Sequence, residues 1–308
     1  MKIQTRRYKG IKIDKTVGAI LFIVIALFVL VAVSRQTARQ QNDGGLQLRL
    51  VDRIDIEDKE NGLREPSGLA LSAQKDALWT VSDNAHKIYK LGLDGKLQPE
   101  STIELADPGL EGIALEPAGR FLYTVNEDAN EIIQVHLSEK TVLKHKALAG
   151  MQEFSAVAKH FEDSPPNKGL EGITWNRDSG SIFVLKESAP GLLIEVSHDL
   201  ERLLDHVILS EANGFFDDDT DAGKLDFSGI VYDPVRKQFW IVSDKGQRLF
   251  LYDRQRNEVV ASLALAYQHK NKEREIKKAE GVAIDPAINR LFVVSDKEAR
   301  LYIYDILR

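Results

Sequence analysis

One motif recurs five times in this chain, and its internal register never slips. The segments PSGLALS (66–72), LEGIALE (110–116), LEGITWN (170–176), FSGIVYD (227–233) and AEGVAID (279–285) align on Gly68, Gly112, Gly172, Gly229 and Gly281. Eleven residues beyond each glycine stands an aromatic: Trp79, Tyr123, Phe183, Trp240 and Phe292. Fifteen beyond it stands an acid: Asp83, Glu127, Glu187, Asp244 and Asp296. Twenty beyond it stands an aliphatic: Ile88, Ile132, Leu192, Leu249 and Leu301. A repeat of this kind constrains the fold more than any local propensity, because every copy must adopt one supersecondary unit and stack on its neighbours.

Each copy reads as a run of strands. Bulky residues at positions one and three after the glycine alternate with small or β-branched ones, the period-two pattern of a half-covered strand. A turn follows, opened by Glu116-Pro117, Asp233-Pro234 or Asp285-Pro286. A second strand carries the aromatic and ends at the acid, and a short polar loop leads to a third, such as residues 88–93 or 301–306. Outer fourth strands are expected at 97–105, 141–148, 201–209 and 258–265. Four-stranded units at this spacing define a β-propeller. Copy five lacks an outer strand, and residues 47–56 (QLRLVDRIDI) form a strand with no other home; together they complete the last blade and close the ring. The expected fold class is therefore all-β, a five-bladed β-propeller over 46–308 preceded by a transmembrane helix. Two β-sandwiches would explain neither the shared register nor the orphan strand.

The transmembrane expectation comes from Val17 to Val33, seventeen residues with no polar side chain. As a helix this run spans about 26 Å, close to a bilayer's hydrocarbon thickness of about 30 Å. Residues 1–16 form a basic tail with six Lys/Arg, so the positive-inside rule keeps them in the cytoplasm. Residues 34–45 are a polar, Gly-ended tether. The propeller is then expected in the periplasm, held at the inner membrane by a single span. Ala32-Val33-Ser34 leaves a cleaved signal as the competing reading of the same segment.

Charge divides the chain in the same place. The first 39 residues carry eight Lys/Arg and one acid, whereas residues 40–308 carry 33 basic and 46 acidic side chains. So acidic a domain is a poor nucleic-acid binder. With no cysteine, thiol chemistry and thiolate metal sites are excluded, and only 7 histidines disfavour a His-rich metal cluster. Carboxylate remains, which favours a hard cation such as calcium.

The repeat places those carboxylates. In an antiparallel hairpin the start of the first strand lies beside the end of the second. The residues before the glycines (Ser67, Glu111, Glu171, Ser228, Glu280) and the five acids at +15 therefore gather at one mouth of the ring. The candidate metal ligands are Glu111, Glu171 and Glu280, expected nearest the axis, with Asp83, Glu127, Glu187, Asp244 and Asp296 around them. The +15 acids also have an architectural reading, as caps of turns or ties between blades. Lys186, Lys245 and Lys297 are the expected compensating cations. Asp217, Asp219 and Asp221 have the one-three-five spacing of a calcium loop, but the glycine is displaced and position twelve is Ser228. Residues 149–169, 210–227 and 266–278 are long connections that could wall the mouth, and 270–278 (KNKEREIKK) reads as a short charged helix.

The EGIA…SD skeleton, with the anchor before it, resembles the SdiA-regulated (YjiK-like) bacterial proteins, distantly similar to NHL-repeat propellers. That resemblance implies an N-terminally anchored five-bladed propeller with an associated calcium ion; the family name refers to control by a quorum-sensing regulator, not to a chemistry. Two functional readings follow. One is a calcium-binding module that takes a small-molecule or protein ligand at the propeller mouth. The other is a calcium-dependent hydrolase, phytase- or lactonase-like, for which His86 is the nearest candidate base.

Overall fold

The computed structural model describes residues 43–308 apart from 163–167, 219 and 221–223, and leaves the Asp83 side chain undescribed. The basic tail, the 17–33 segment and the tether up to residue 42 lie outside the described residues. Among the described residues no helix is long and apolar enough to cross a membrane.

The expected ring is present. Strand β1 (Gln47–Asp55) precedes blade one, which comprises β2 (Pro66–Leu71), β3 (Ala77–Ser82), β4 (Lys87–Gly92) and the short β5 (Ile103–Glu104). Blade two holds β6 (Leu110–Leu115), β7 (Phe121–Asn126), β8 (Glu131–His136) and β9 (Thr141–Ala147). Blade three holds β10 (Leu170–Asn176), β11 (Ser181–Lys186), β12 (Gly191–Val196) and β13 (Leu203–Leu209). Blade four holds β14 (Gly229–Asp233), β15 (Gln238–Ser243), β16 (Arg248–Asp253) and β17 (Glu258–Ala264). After a hairpin of β18 (Ala266–His269) and β19 (Lys272–Glu275), blade five runs through β20 (Ala279–Asp285), β21 (Arg290–Ser295) and β22 (Arg300–Leu307). The orphan strand β1 pairs antiparallel with β22, from Gln47 opposite Leu307 to Asp55 opposite Arg300, and supplies the missing outer strand. Each inner strand packs against two others in the cyclic order β2, β6, β10, β14, β20, so the ring is closed.

The repeat positions acquire physical meanings here. Each aromatic pairs directly across from the small residue two beyond its glycine: Trp79 with Ala70, Tyr123 with Ala114, Phe183 with Thr174, Trp240 with Val231 and Phe292 with Ala283. The small partner makes room for the ring, and all five aromatics are buried. The five aliphatics at +20 are fully buried too. The apolar side chains sort into five clusters, each shared by two adjacent blades; Trp240 and Val242 of blade four, for example, pack with Tyr302 and Tyr304 of blade five. Burial therefore stabilises blade-to-blade contact, at roughly 2–3 kcal/mol per large side chain. The glycines mark where inner strands converge on the axis. A Cβ on Gly229 would stand 2.2 Å from the Glu280 carbonyl oxygen, and one on Gly281 2.4 Å from that of Ser67.

One local expectation fails. Residues 270–278 are not a helix: Ala266 to Glu275 form a two-stranded hairpin with Lys270 and Asn271 at its tip. Both tip residues have positive φ, 50° and 60°, the signature of a two-residue turn that matches strand twist. Apart from Asn271 and Ile276 the run is charged, and a single apolar residue gives no stripe that a helix could bury.

A carboxylate-lined candidate site at one mouth of the ring

Four of the five inner strands leave regular pairing just before their glycine. Register slips between Pro66 and Leu69, Leu110 and Ile113, Leu170 and Gly172, and Ala279 and Gly281. Such bulges re-aim a side chain, and the residues they carry are Ser67, Glu111, Glu171 and Glu280. At the same end each second strand stops and the acid at +15 follows it. The outcome is a cavity of about 440 Å³ lined by Glu111, Glu171, Glu280, Glu127, Glu187, Asp244 and Asp296, seven of the eight expected carboxylates. The eighth, Asp83, occupies the matching place after β3.

Three of these carboxylates meet most closely. Ligand oxygens of Glu127, Glu171 and Glu187 all lie within 4.8 Å of one another. Glu171 sits deepest electrostatically: burial, and then the charges of Glu111, Glu280, Glu127 and Glu187, hold its carboxyl well above the usual range. Glu280 is raised for the same reasons, burial first and Glu111 second. Burial also raises Glu127, partly offset by the Gly169 amide, which donates to Oε1 at 3.3 Å. Asp244 is raised by burial and by Asp226, again opposed by a backbone amide, that of Lys278. Those two amides belong to the following blade. Glu127 and Asp244 thus tie neighbouring blades, as the architectural reading of the +15 acids anticipates, and line the cavity as well.

The compensating cations differ from those expected. Of the three lysines foreseen, only Lys245 lines the cavity, and it pairs with Asp226 at 3.5 Å. Lys186 is buried, donates to the Ser188 carbonyl at 2.5 Å, and is pulled down to about 8 by burial. Lys297 is exposed. Lys168 and Lys278 do the work instead. Lys168 Nζ grips both oxygens of Glu187 at 2.5 and 2.6 Å, and Lys278 pairs with Asp296. Burial lowers both ammonium groups, but hydrogen bonds and charge from these carboxylates outweigh it and leave them raised. Glu65 and Asp226 also line the cavity. All of these belong to the loops three or four residues before a glycine, where Glu65, Gly109, Gly169, Asp226 and Lys278 alternate in charge and size. That variation was the available signal.

Two further candidates lie elsewhere. His86 sits in the left-handed region after the turn that follows β3 and does not line the cavity. Asp217 accepts from Arg248 Nε at 2.7 Å in a buried ion pair, which commits it to structure. Asp219 and Asp221 lie outside the described residues.

The fold and this mouth define a class: a closed five-bladed propeller with an anionic axial cavity. The chain belongs to the SdiA-regulated family, whose family model matches residues 50–304. Among solved structures it is similar to Myxococcus xanthus glutaminyl cyclase, with 12% identity, a TM-score of 0.57, and coverage of 85% of this chain and 98% of that one. It also matches Kuenenia stuttgartiensis hydrazine synthase at 14% identity and a TM-score of 0.43, covering 75% of this chain and 56% of that one. At such identities the cyclase shows a shared fold only.

Proposed function

We propose that the chain is a membrane-anchored, extracytoplasmic, calcium-binding propeller that acts as a ligand- or partner-binding module. The observation that carries this reading is the meeting of Glu127, half-buried Glu171 and buried Glu187 within 4.8 Å, with the Glu171 carboxyl pushed well above its usual range. Like charges at that range are costly unless protonated or bridged, and an all-oxygen carboxylate set suits calcium's flexible coordination. Glu127, Glu171 and Glu187 would hold the ion, which would neutralise the deepest part of the cavity and tie blade two to blade three. The chain enters the ring at Gln47, opposite Leu307, at the end away from the mouth. A hydrolase would need a base beside the ion. Among the described lining residues none is histidine, and the lysines are committed to carboxylates, which favours binding over turnover. Thermal melts of the full-length chain in detergent test the reading. Calcium at about 100 times its Kd should raise stability by about 2.7 kcal/mol over the chelated protein. Glu171→Gln should remove the difference; superimposable melts of the wild type with calcium and with chelator would refute it.

A further inference from the structure

A single calcium ion leaves the mouth strongly anionic. Nine carboxylates and three lysines line the described cavity. With every group charged and one divalent ion bound, four negative charges remain. Protonating Glu171 or Glu280 does not cancel them.

The residue least provided for is Glu280. Its side chain is 12% exposed and lines the cavity, yet among the described residues its carboxylate accepts no hydrogen bond and has only a long ion pair. Its nearest cation is Lys278 Nζ at 3.7 Å, beyond hydrogen-bond distance and engaged with Asp296. A buried carboxylate without a donor is held at a cost that a guest bringing N–H groups removes. The cavity's volume of about 440 Å³ exceeds what one ion and its waters fill and falls within the usual size of small-molecule pockets. Its walls narrow the chemistry. Among the described lining residues there is no aromatic ring, so the cage that recognises quaternary ammonium is missing. What the walls offer is acceptors, which match the three donors of a primary ammonium.

We propose that the mouth binds a small aliphatic di- or polyamine through primary ammonium groups, with Glu280 as the principal acceptor and Asp244 beside it. This rests on the calcium reading only in assigning Glu127, Glu171 and Glu187 to the metal; the acceptor at Glu280 is independent of it. The ligand is a compact, multiply charged cation that fills the half of the cavity facing blades four and five.

Calorimetric titration of the full-length chain in detergent tests this. At saturating calcium, 1,4-diaminobutane should bind at one per chain, and its fully methylated bis-quaternary analogue at least tenfold more weakly. Glu280→Gln should weaken the diamine at least tenfold and calcium less than threefold. Asp244→Asn, which leaves the inner strand untouched, should weaken the diamine as well, and the melting temperature of each variant checks that it folds. Absence of diamine binding beside an intact calcium isotherm would overturn the proposal. So would equal binding of the two amines, which would mark unspecific charge attraction. So would displacement of the diamine by a second equivalent of calcium that is lost in Glu280→Gln. If calcium itself fails to bind, the calcium reading falls, and the same diamine titration without calcium still decides this one.

Discussion

The two ends of the axial channel are built by the same five inner strands and could hardly differ more. At the mouth, the residues preceding the glycines and the ends of the second strands present carboxylates around about 440 Å³. At the opposite end, residues after the glycines, among them Leu69, Ile113, Ile173 and Ile230, line about 100 Å³, with Pro234 and Pro286 at its rim. The polarity switches within one or two residues of each glycine. The position after the glycine is apolar in every blade; the position before it is Ser in blades one and four and Glu in the other three. Closure of the ring requires the first kind of position five times over. Nothing in closure requires three glutamates, and they occupy bulges that interrupt the ladder. One end is architecture, and the other is built at architecture's expense.

That contrast can be broken or sharpened by substitution. The largest effect is expected at the architectural end. Asp233 is fully buried and accepts from the amides of Val235 and Arg236, from Arg236 Nη1 at 2.7 Å and from Trp240 Nε1 at 3.2 Å. Asp233→Ala strands those donors and should cost about 3–5 kcal/mol in chemical denaturation. Gly229→Ala comes next. Its new methyl would press on the Glu280 carbonyl, and about 2–3 kcal/mol should be lost in the same assay.

At the mouth the sign should reverse. The folded pKa of Glu171 is raised, so between the unfolded carboxyl value and the folded one the native state binds more protons than the unfolded state. Calcium-free stability should therefore fall as pH rises above about 4.5, by about 1.4 kcal/mol for each unit of upward shift. Glu171→Gln should flatten that fall and leave the calcium-free protein more stable than wild type at neutral pH. A variant less stable than wild type across the whole range would place Glu171 with the architecture. The smallest effect belongs to Lys168, which competes for Glu187 while 30% exposed. Lys168→Met should tighten calcium binding by about two- to fivefold, the equivalent of a partly exposed ion pair; weaker binding would mean that Glu187 needs the lysine to hold it in place.

Legibility followed the same division. Blade number, strand order and closure through residues 47–56 were readable, because a closed ring repeats its demands and repetition is visible in one sequence. The glycines show why: an added Cβ at Gly68 would come 2.4 Å from the Ile113 amide nitrogen of the next blade. The carboxylate positions were readable from hairpin geometry alone. The identity of the cations was not. Lys186 adjoins its acid in sequence, but neighbours along a strand face opposite sides of the sheet, and it turns into the protein. Lys168 and Lys278 reach the cavity from loops whose paths no period describes. Grouping within the mouth was also hidden. The pattern singles out Glu111, Glu171 and Glu280, but does not show that Glu171 shares its closest group with Glu127 and Glu187. Side chains from first-strand bulges and second-strand ends of neighbouring blades meet there, and that encounter depends on ring curvature.

The most direct measurement is an anomalous difference map from crystals of the protein grown with calcium. A single peak at the mouth, with oxygens of Glu127, Glu171 and Glu187 at about 2.3–2.6 Å, is the expected result. A mouth without a peak, or an ion bound by other residues, would contradict the account.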